Sequence, residues 1–114
     1  MNDYLKMYIA VLDEVPDFIV PTLVAHSVLS AHLLLEKDET YQDWLKNHFR
    51  KAVVRVNRKE FEKIGSLDLP KHFGYENKTL NGANSCIVVQ PVWNSAVPNV
   101  LKFAKLWAPK ELTS

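Results

Sequence analysis

Three polar side chains recur at four-residue intervals within one apolar segment of this 114-residue chain. Thr22, His26 and Ser30 lie on one face if the segment is helical, because four residues make about one helical turn. A histidine beside hydroxyl groups can transfer protons near neutral pH, so this polar line predicts a small catalytic or binding site. A hydrogen-bonded histidine at a packing seam is the alternative interpretation.

The elements around this polar line predict an α/β fold. Residues 7–12 are apolar at every position, as in a strand that is covered on both faces. An acidic loop follows, and Pro21 suits the first turn of the helix that carries His26. Ligands in α/β sheets gather beyond the carboxyl ends of the strands, which is where this helix is expected to begin.

Strands and helices alternate along the rest of the chain. The remaining predicted elements are a helix over 40–49 capped by Thr40, a strand over 51–56, a helix over 58–64, an irregular segment over 67–85 with room for one short strand, a strand over 86–90, and a final helix from Asn94 or Ser95 to Trp107. This order predicts a single domain, residues 1–114, folded as a three-layer α/β/α sandwich with a mixed sheet of about four strands.

The charge of the chain is uneven, although its formal net value is only +1. Seven of the 14 Lys and Arg residues lie in segment 46–63, whereas eight of the 13 acidic residues lie in segment 1–45. A clustered basic face can hold a phosphate backbone. Ordinary ion pairs on a solvated surface account for the same cluster, so both interpretations stay open.

Other kinds of site are not predicted. Three scattered glycines cannot form a phosphate-binding loop, and the four histidines and single cysteine lack zinc-binding spacings, so no metal or cofactor is expected. Cys86 opens an apolar strand and is expected to be buried and inert. The chain shows no uninterrupted apolar run of about 20 residues and no signal-peptide pattern, so a cytoplasmic protein without a membrane partner is expected.

The segment KMYIAVLDEVPDFIVPTLVAHSVLSAH resembles the opening of the archaeal and eukaryotic (type II) peptidyl-tRNA hydrolases. That family has an apolar strand after a Lys-Met pair, an acidic loop, and a helix with an Ala-Gln-x-x-His-Ala run. His26 matches the helix histidine of the family, and Ser30 and Ala31 match its Gly-Ala pair. The order of the later elements also agrees along nearly the whole chain.

The resemblance implies hydrolysis of the ester bond of peptidyl-tRNA without a cofactor. Glu76 and Thr79 match the loop acid and the threonine of the family when a one-residue gap is allowed. With His26, these two residues are the implied catalytic residues. The implied substrate-binding residues are Thr22, Ser30, Lys71, Lys78, Arg50, Arg55 and Arg58.

The chain departs from the family at the start of the helix. Phe18 and Ile19 stand where the family has a Gly-Lys pair, and Leu23 replaces its glutamine. The lysine of that pair is held important for activity, so a cation here would have to come from Lys71 or Lys78.

Three functions therefore stay open from the sequence. The first is a divergent peptidyl-tRNA hydrolase. The second is a catalytically inactive relative that binds RNA, for example tRNA, or protein through segment 46–63. The third is a structural or interaction homodimer that uses exposed apolar residues such as Trp93 or Trp107.

Overall fold

The chain alternates strands and helices, as the computed structural model shows for residues 3–77 and 79–110. The α-helices and strands in these residues are β1 (Leu5–Leu12), α1 (Val20–Leu35), α2 (Glu39–Asp43), β2 (Arg50–Val56), α3 (Arg58–Gly65), β3 (Lys71–Tyr75), β4 (Asn84–Trp93), α4 (Asn99–Lys102) and β5 (Lys105–Leu106). Short 3-10 helices lie at Asp17–Ile19, Leu80–Gly82 and Asn94–Ala96. One π-helical turn, Trp44–His48, extends α2 toward β2.

In the described part of the chain, the strands form one five-stranded sheet in the order β3-β4-β1-β2-β5. β1 and β2 are parallel, and the other neighbouring pairs are antiparallel. It follows that β1, β2 and β3 run in the same direction and that their carboxyl ends lie at the same end of the sheet. The predicted mixed α/β sheet is confirmed, with five strands instead of about four.

The fifth strand arises because the predicted final helix is much shorter than expected. Only Asn99–Lys102 is α-helical, and the chain then turns back at Lys105–Leu106 to pair with Val54 and Arg55 of β2. The backbone N–H of Trp107 continues this contact by donating to the carbonyl oxygen of Val53 at 2.9 Å. Pairing with β2 therefore gives this segment the backbone hydrogen bonds that a longer helix would have formed within itself.

The helices cover both faces of the sheet, which confirms the three-layer architecture. A Cβ added to Gly74 would lie 2.0 Å from Ser27 Oγ of α1, so Gly74 faces α1. A Cβ added to Gly65 of α3 would instead lie 3.4 Å from the ring of Phe73. Since neighbouring residues of a strand point to opposite faces, α1 and α3 lie on opposite sides of β3.

Helix α1 is apolar well beyond its buried stripe. By length and composition alone, segment Asp17–Leu35 is long and apolar enough to span a membrane. In this fold, 28% of its apolar 18-residue window is buried. The residues buried against the sheet are Val20, Leu23, Ser27, Ala31 and Leu35. The large apolar residues of this helix that remain exposed are Leu29, Leu33 and Leu34.

Side-chain caps fix the starts of two helices. Asp38 accepts a hydrogen bond from the N–H of Tyr41 at 2.9 Å, so it caps α2 and the predicted Thr40 cap is wrong. Asn57 and Glu60 bond each other's backbone N–H groups at 2.8 and 2.9 Å, which forms a capping box directly after β2. α3, which starts at this capping box, therefore begins at the same end of the sheet as α1.

Replacing Gly74 with alanine should lower the free energy of unfolding by about 1–3 kcal/mol, because the new Cβ meets Ser27 in a packed contact. Urea denaturation would measure the change. Gly65→Ala is the matched control, since its Cβ has ordinary contacts and alanine favours a helix. Equal stabilities of the two variants would contradict the steric argument.

Candidate active site

A cleft of about 350 Å³ separates α1 from β3. The residues that line it are His26, Ser27, Ser30, His72, Phe73, Gly74 and Tyr75. Gly74 allows α1 to approach β3 closely enough for helix side chains to reach the strand backbone. The cleft lies toward the carboxyl end of β3, where ligands gather in α/β sheets.

The imidazole of His26 contacts two groups at the end of β3. Its Nε2 lies 3.1 Å from the carbonyl oxygen of Tyr75 and 4.0 Å from Oε2 of Glu76. A carbonyl oxygen can only accept, so the hydrogen bond to Tyr75 requires a proton on Nε2. This contact leaves Nδ1 as the nitrogen that can accept a proton in neutral His26.

Glu76 and Thr79 follow β3 in one short turn. The N–H of Thr79 donates to the carbonyl oxygen of Glu76 at 3.1 Å, and its hydroxyl lies 3.4 Å from the same oxygen. The Glu76 side chain is 17% exposed, whereas that of His26 is 44% exposed. The structure thus brings Glu76 to His26, while Thr79 holds the backbone of the turn that carries Glu76.

The polar line on α1 is only partly in the cleft. Ser30 lines the cleft one turn after His26. Thr22 is exposed one turn before His26 and is not one of the lining residues.

Sequence reasoning missed five residues that line the cleft: Ser27, His72, Phe73, Gly74 and Tyr75. For Gly74 and His72, a signal exists in the sequence. An isolated glycine within a short strand indicates close approach of another backbone, and a residue two positions away shares its face.

The basic residues expected to bind substrate do not form one surface. Arg50 lies over the ring of Tyr4 at 4.1 Å at the start of β2, at the end opposite to Arg58. Arg58 forms a two-bond ion pair with Glu14 at 2.7 and 3.1 Å, and this hydrogen bonding raises the pKa of the guanidinium. Segment 46–63 therefore divides between the two ends of the sheet.

Arg55 belongs to a contact between the first loop and the C-terminal segment. Its Nη2 donates to Asp17 Oδ1 at 3.2 Å and to the carbonyl oxygen of Ala108 at 2.5 Å. The backbone N–H of Lys110 donates to Asp17 at 2.6 Å, and this bond, with that of Arg55, lowers the pKa of the carboxyl group. Arg55 therefore has a structural role in this fold.

Lys71, the first candidate lysine, is not among the residues that line the cleft. Lys71 begins β3, five residues and roughly 16 Å of extended chain before Glu76. Its ammonium group donates to the carbonyl oxygen of Leu67 at 2.6 Å. Lys78 lies outside the described residues.

Among residues 3–77 and 79–110, no group of three or more His, Cys, Asp or Glu residues converges as a metal site would require.

Comparison with models of known protein families gives no match, and comparison with curated protein sequences gives none either.

Cys86 should resist alkylation in the folded protein. Burial raises the pKa of this thiol to about 12, and the neighbouring Ser27 opposes the shift only in part. We expect iodoacetamide at pH 8 to label Cys86 at least about 100-fold faster in urea than under native conditions. Because the pKa of Cys86 is raised only in the folded state, the unfolded chain loses the thiol proton first. The free energy of unfolding should therefore fall as the pH rises above 9. Equal labelling rates would show that the strand opens readily.

Proposed function

We propose that this protein hydrolyses the ester bond of peptidyl-tRNA, with His26 as the general base. The observation that carries the proposal is the contact of His26 Nε2 with the carbonyl oxygen of Tyr75 and the carboxylate of Glu76, at 3.1 and 4.0 Å. A histidine oriented by an acid in a cleft is an arrangement that activates water or a hydroxyl group. The resemblance in sequence supports the choice of substrate.

The chemistry needs one base and a route for one proton. Nδ1 of His26 accepts a proton from water as the water oxygen bonds to the ester carbonyl carbon. The tetrahedral intermediate then breaks its bond to the ribose oxygen, which takes the proton back from the imidazolium. The products are a peptide with a free carboxyl group and tRNA with its hydroxyl group restored. The carboxylate of Glu76 stabilises the imidazolium between these steps.

The negative oxygen of the intermediate also needs a donor. Ile19, at the position of the family lysine, is half-buried against the core and supplies no charge. The exposed hydroxyl of Ser30, one turn along α1 from His26, is the donor that we assign to this role.

Replacing the base should stop the reaction without unfolding the protein. His26→Ala is expected to lower kcat by about 10²- to 10⁴-fold, and Glu76→Gln by about 10- to 100-fold because the imidazolium loses its charged partner. Release of labelled peptide from peptidyl-tRNA is the measurement. Glu36→Gln is the control, since Glu36 is an exposed carboxylate near His32 at the far end of α1.

Failure of the wild-type protein to hydrolyse peptidyl-tRNA at high concentration would overturn the proposal. If tRNA still bound under those conditions, the inactive RNA-binding relative would be the better description. Loss of activity in Glu36→Gln as well would mean that a general electrostatic or folding effect had been measured.

We assign tRNA phosphate contacts to the bases of α3. Lys59 and Lys63 are exposed, whereas Arg55 and Arg58 already pair with acidic residues. α3 begins at the end of the sheet where β3 also ends, on the face opposite α1, so the acyl end of a tRNA held there has to pass around this end of the sheet to reach the cleft. A phosphate contact of this kind is weakened by salt.

Removing either base of α3 should weaken tRNA binding in a salt-dependent way. Lys59→Ala or Lys63→Ala should each reduce the slope of log K against log salt by about 1. Filter binding of tRNA over a range of salt concentrations would measure it. Lys37→Ala is the control because Lys37 is exposed within an acidic stretch. An unchanged slope in both α3 variants would place the tRNA elsewhere.

The homodimer alternative has its best apolar surface on α1. Leu29, Leu33 and Leu34 are 61–74% exposed, whereas Trp107 is half-buried with the Arg55 guanidinium 5.2 Å above its ring. These leucines lie on the same helix as His26 and Ser30 but are not among the residues that line the cleft.

A further inference from the structure

β3 is an edge strand with free hydrogen-bonding groups. In the described sheet it pairs only with β4. The N–H of Gln90 donates to the carbonyl oxygen of Pro70. Hydrogen-bonded and non-hydrogen-bonded residue pairs alternate along an antiparallel ladder, so the N–H and C=O groups of His72 and Gly74 also point toward β4. Lys71 and Phe73 therefore turn their N–H and C=O groups away from the sheet.

His26 marks the end of this free edge. The carbonyl oxygen of Tyr75 is the next outward-facing group, and His26 Nε2 already bonds it. No hydrogen bond among residues 3–77 and 79–110 uses the outward N–H or C=O group of Phe73. The open edge thus consists of Lys71 and Phe73, directly beside the proposed general base.

α1 runs antiparallel to β3 along the cleft. Ser27 lies opposite Gly74, and His26 lies opposite Tyr75. Four residues of helix and two residues of strand each cover roughly 6 Å, so Ser30 lies level with Phe73, and Leu34 with Lys71. The surface of α1 accordingly changes from polar at His26, within the cleft, to apolar at exposed Leu34, beyond the residues that line it.

We infer that the peptide part of the substrate binds to β3 as an added parallel strand, an inference that rests on the proposed function. The ester joins the carboxyl end of the peptide to tRNA, so that end must lie at His26 and the peptide must run in the direction of β3. Phe73 then donates its N–H to one peptide carbonyl and accepts from a peptide N–H two residues further on. The apolar surface of α1 at Leu34, beyond the cleft, receives the side chains of earlier residues.

Recognition through the backbone suits this substrate class. Main-chain hydrogen bonds do not depend on side chains, so the cleft can accept peptides of different sequence. A second copy of the chain fits less well. Two β3 strands paired antiparallel about Phe73 would need the carbonyl of Tyr75, which His26 already occupies. An added peptide needs only Lys71 and Phe73.

Proline at position 73 tests the hydrogen bond. The N–H of Phe73 points away from β4, so Phe73→Pro removes no bond of the sheet and is tolerable at an edge. Phe73→Ala removes the same side chain and keeps the N–H. We expect kcat/KM for trialanyl-tRNA to be about five- to tenfold lower in Phe73→Pro than in Phe73→Ala. Equal values in two folded variants would overturn the inference.

A change in the substrate provides the second arm, in case Phe73→Pro does not fold. Trialanyl-tRNA with one N-methylated amide should be cleaved about fivefold more slowly by the wild type when the methyl group blocks the N–H that faces Phe73. Equal cleavage of all methylated forms would overturn the inference while the hydrolase function stood.

A binding measurement separates the inference from the hydrolase function. Acetyl-trialanine, a product analogue, should shift the amide resonances of Lys71 and Phe73 in ¹⁵N-labelled protein. If the protein cleaves no peptidyl-tRNA but these amides shift, the hydrolase function fails and the strand site stands. Absence of shifts at saturating peptide, or a dimer in light scattering whose interface protects these amides, overturns the strand site.

Discussion

The contact between Gly74 and Ser27 is the constraint on which the cleft depends. With no Cβ at position 74, the backbone of β3 can lie against α1, and the separation of the two elements is then set by hard atoms. That separation brings the carbonyl oxygen of Tyr75 within hydrogen-bonding distance of His26. A wider spacing would remove the contact that selects the tautomer of the imidazole, and Glu76 would move away with the strand.

Charged residues contribute to the fold to a greater extent than we inferred from the basic cluster in the sequence. Arg58 pairs with Glu14 and Arg55 with Asp17, so two bases of segment 46–63 bind the acidic loop that follows β1. The Arg58 pair is exposed, so solvent screens it and it adds little to stability. The main effect of the two pairs is to fix where the loop runs between β1 and α1. The uneven charge along the sequence thus reflects contacts between neighbouring strand ends as much as a surface for a partner.

The sequence was most informative where local rules decide the structure. β1, α1, β2 and α3 were predicted because apolar periodicity and the helix-starting Pro21 act within a few residues. The short strand allowed within 67–85 was not located, and the final helix was predicted too long, since both depend on partners far along the chain. Position 73 shows the difficulty: nothing near Phe73 in the sequence tells that its amide faces outward.

The candidate site was recoverable to a similar degree. Glu76 was selected from the sequence, and the structure places it beside His26. The assignment of Lys71 could not be checked without the fold, because only the direction of β3 shows that this residue lies at the far end of the strand from Glu76. Ser27 was hidden because a serine within an apolar stripe carries no signal of its own.

The central position of β1 has a consequence for how the chain folds during synthesis. β1 is made first, but it is paired on one side with β2 and on the other with β4, which spans Asn84–Trp93. Its last neighbour is therefore synthesised about 70 residues after β1 itself. Until then the apolar strand and α1 lack most of their cover, and such exposed segments are where nascent chains aggregate. The pairing of β4 with β1 should thus be a late step, which covers the central strand on its second side.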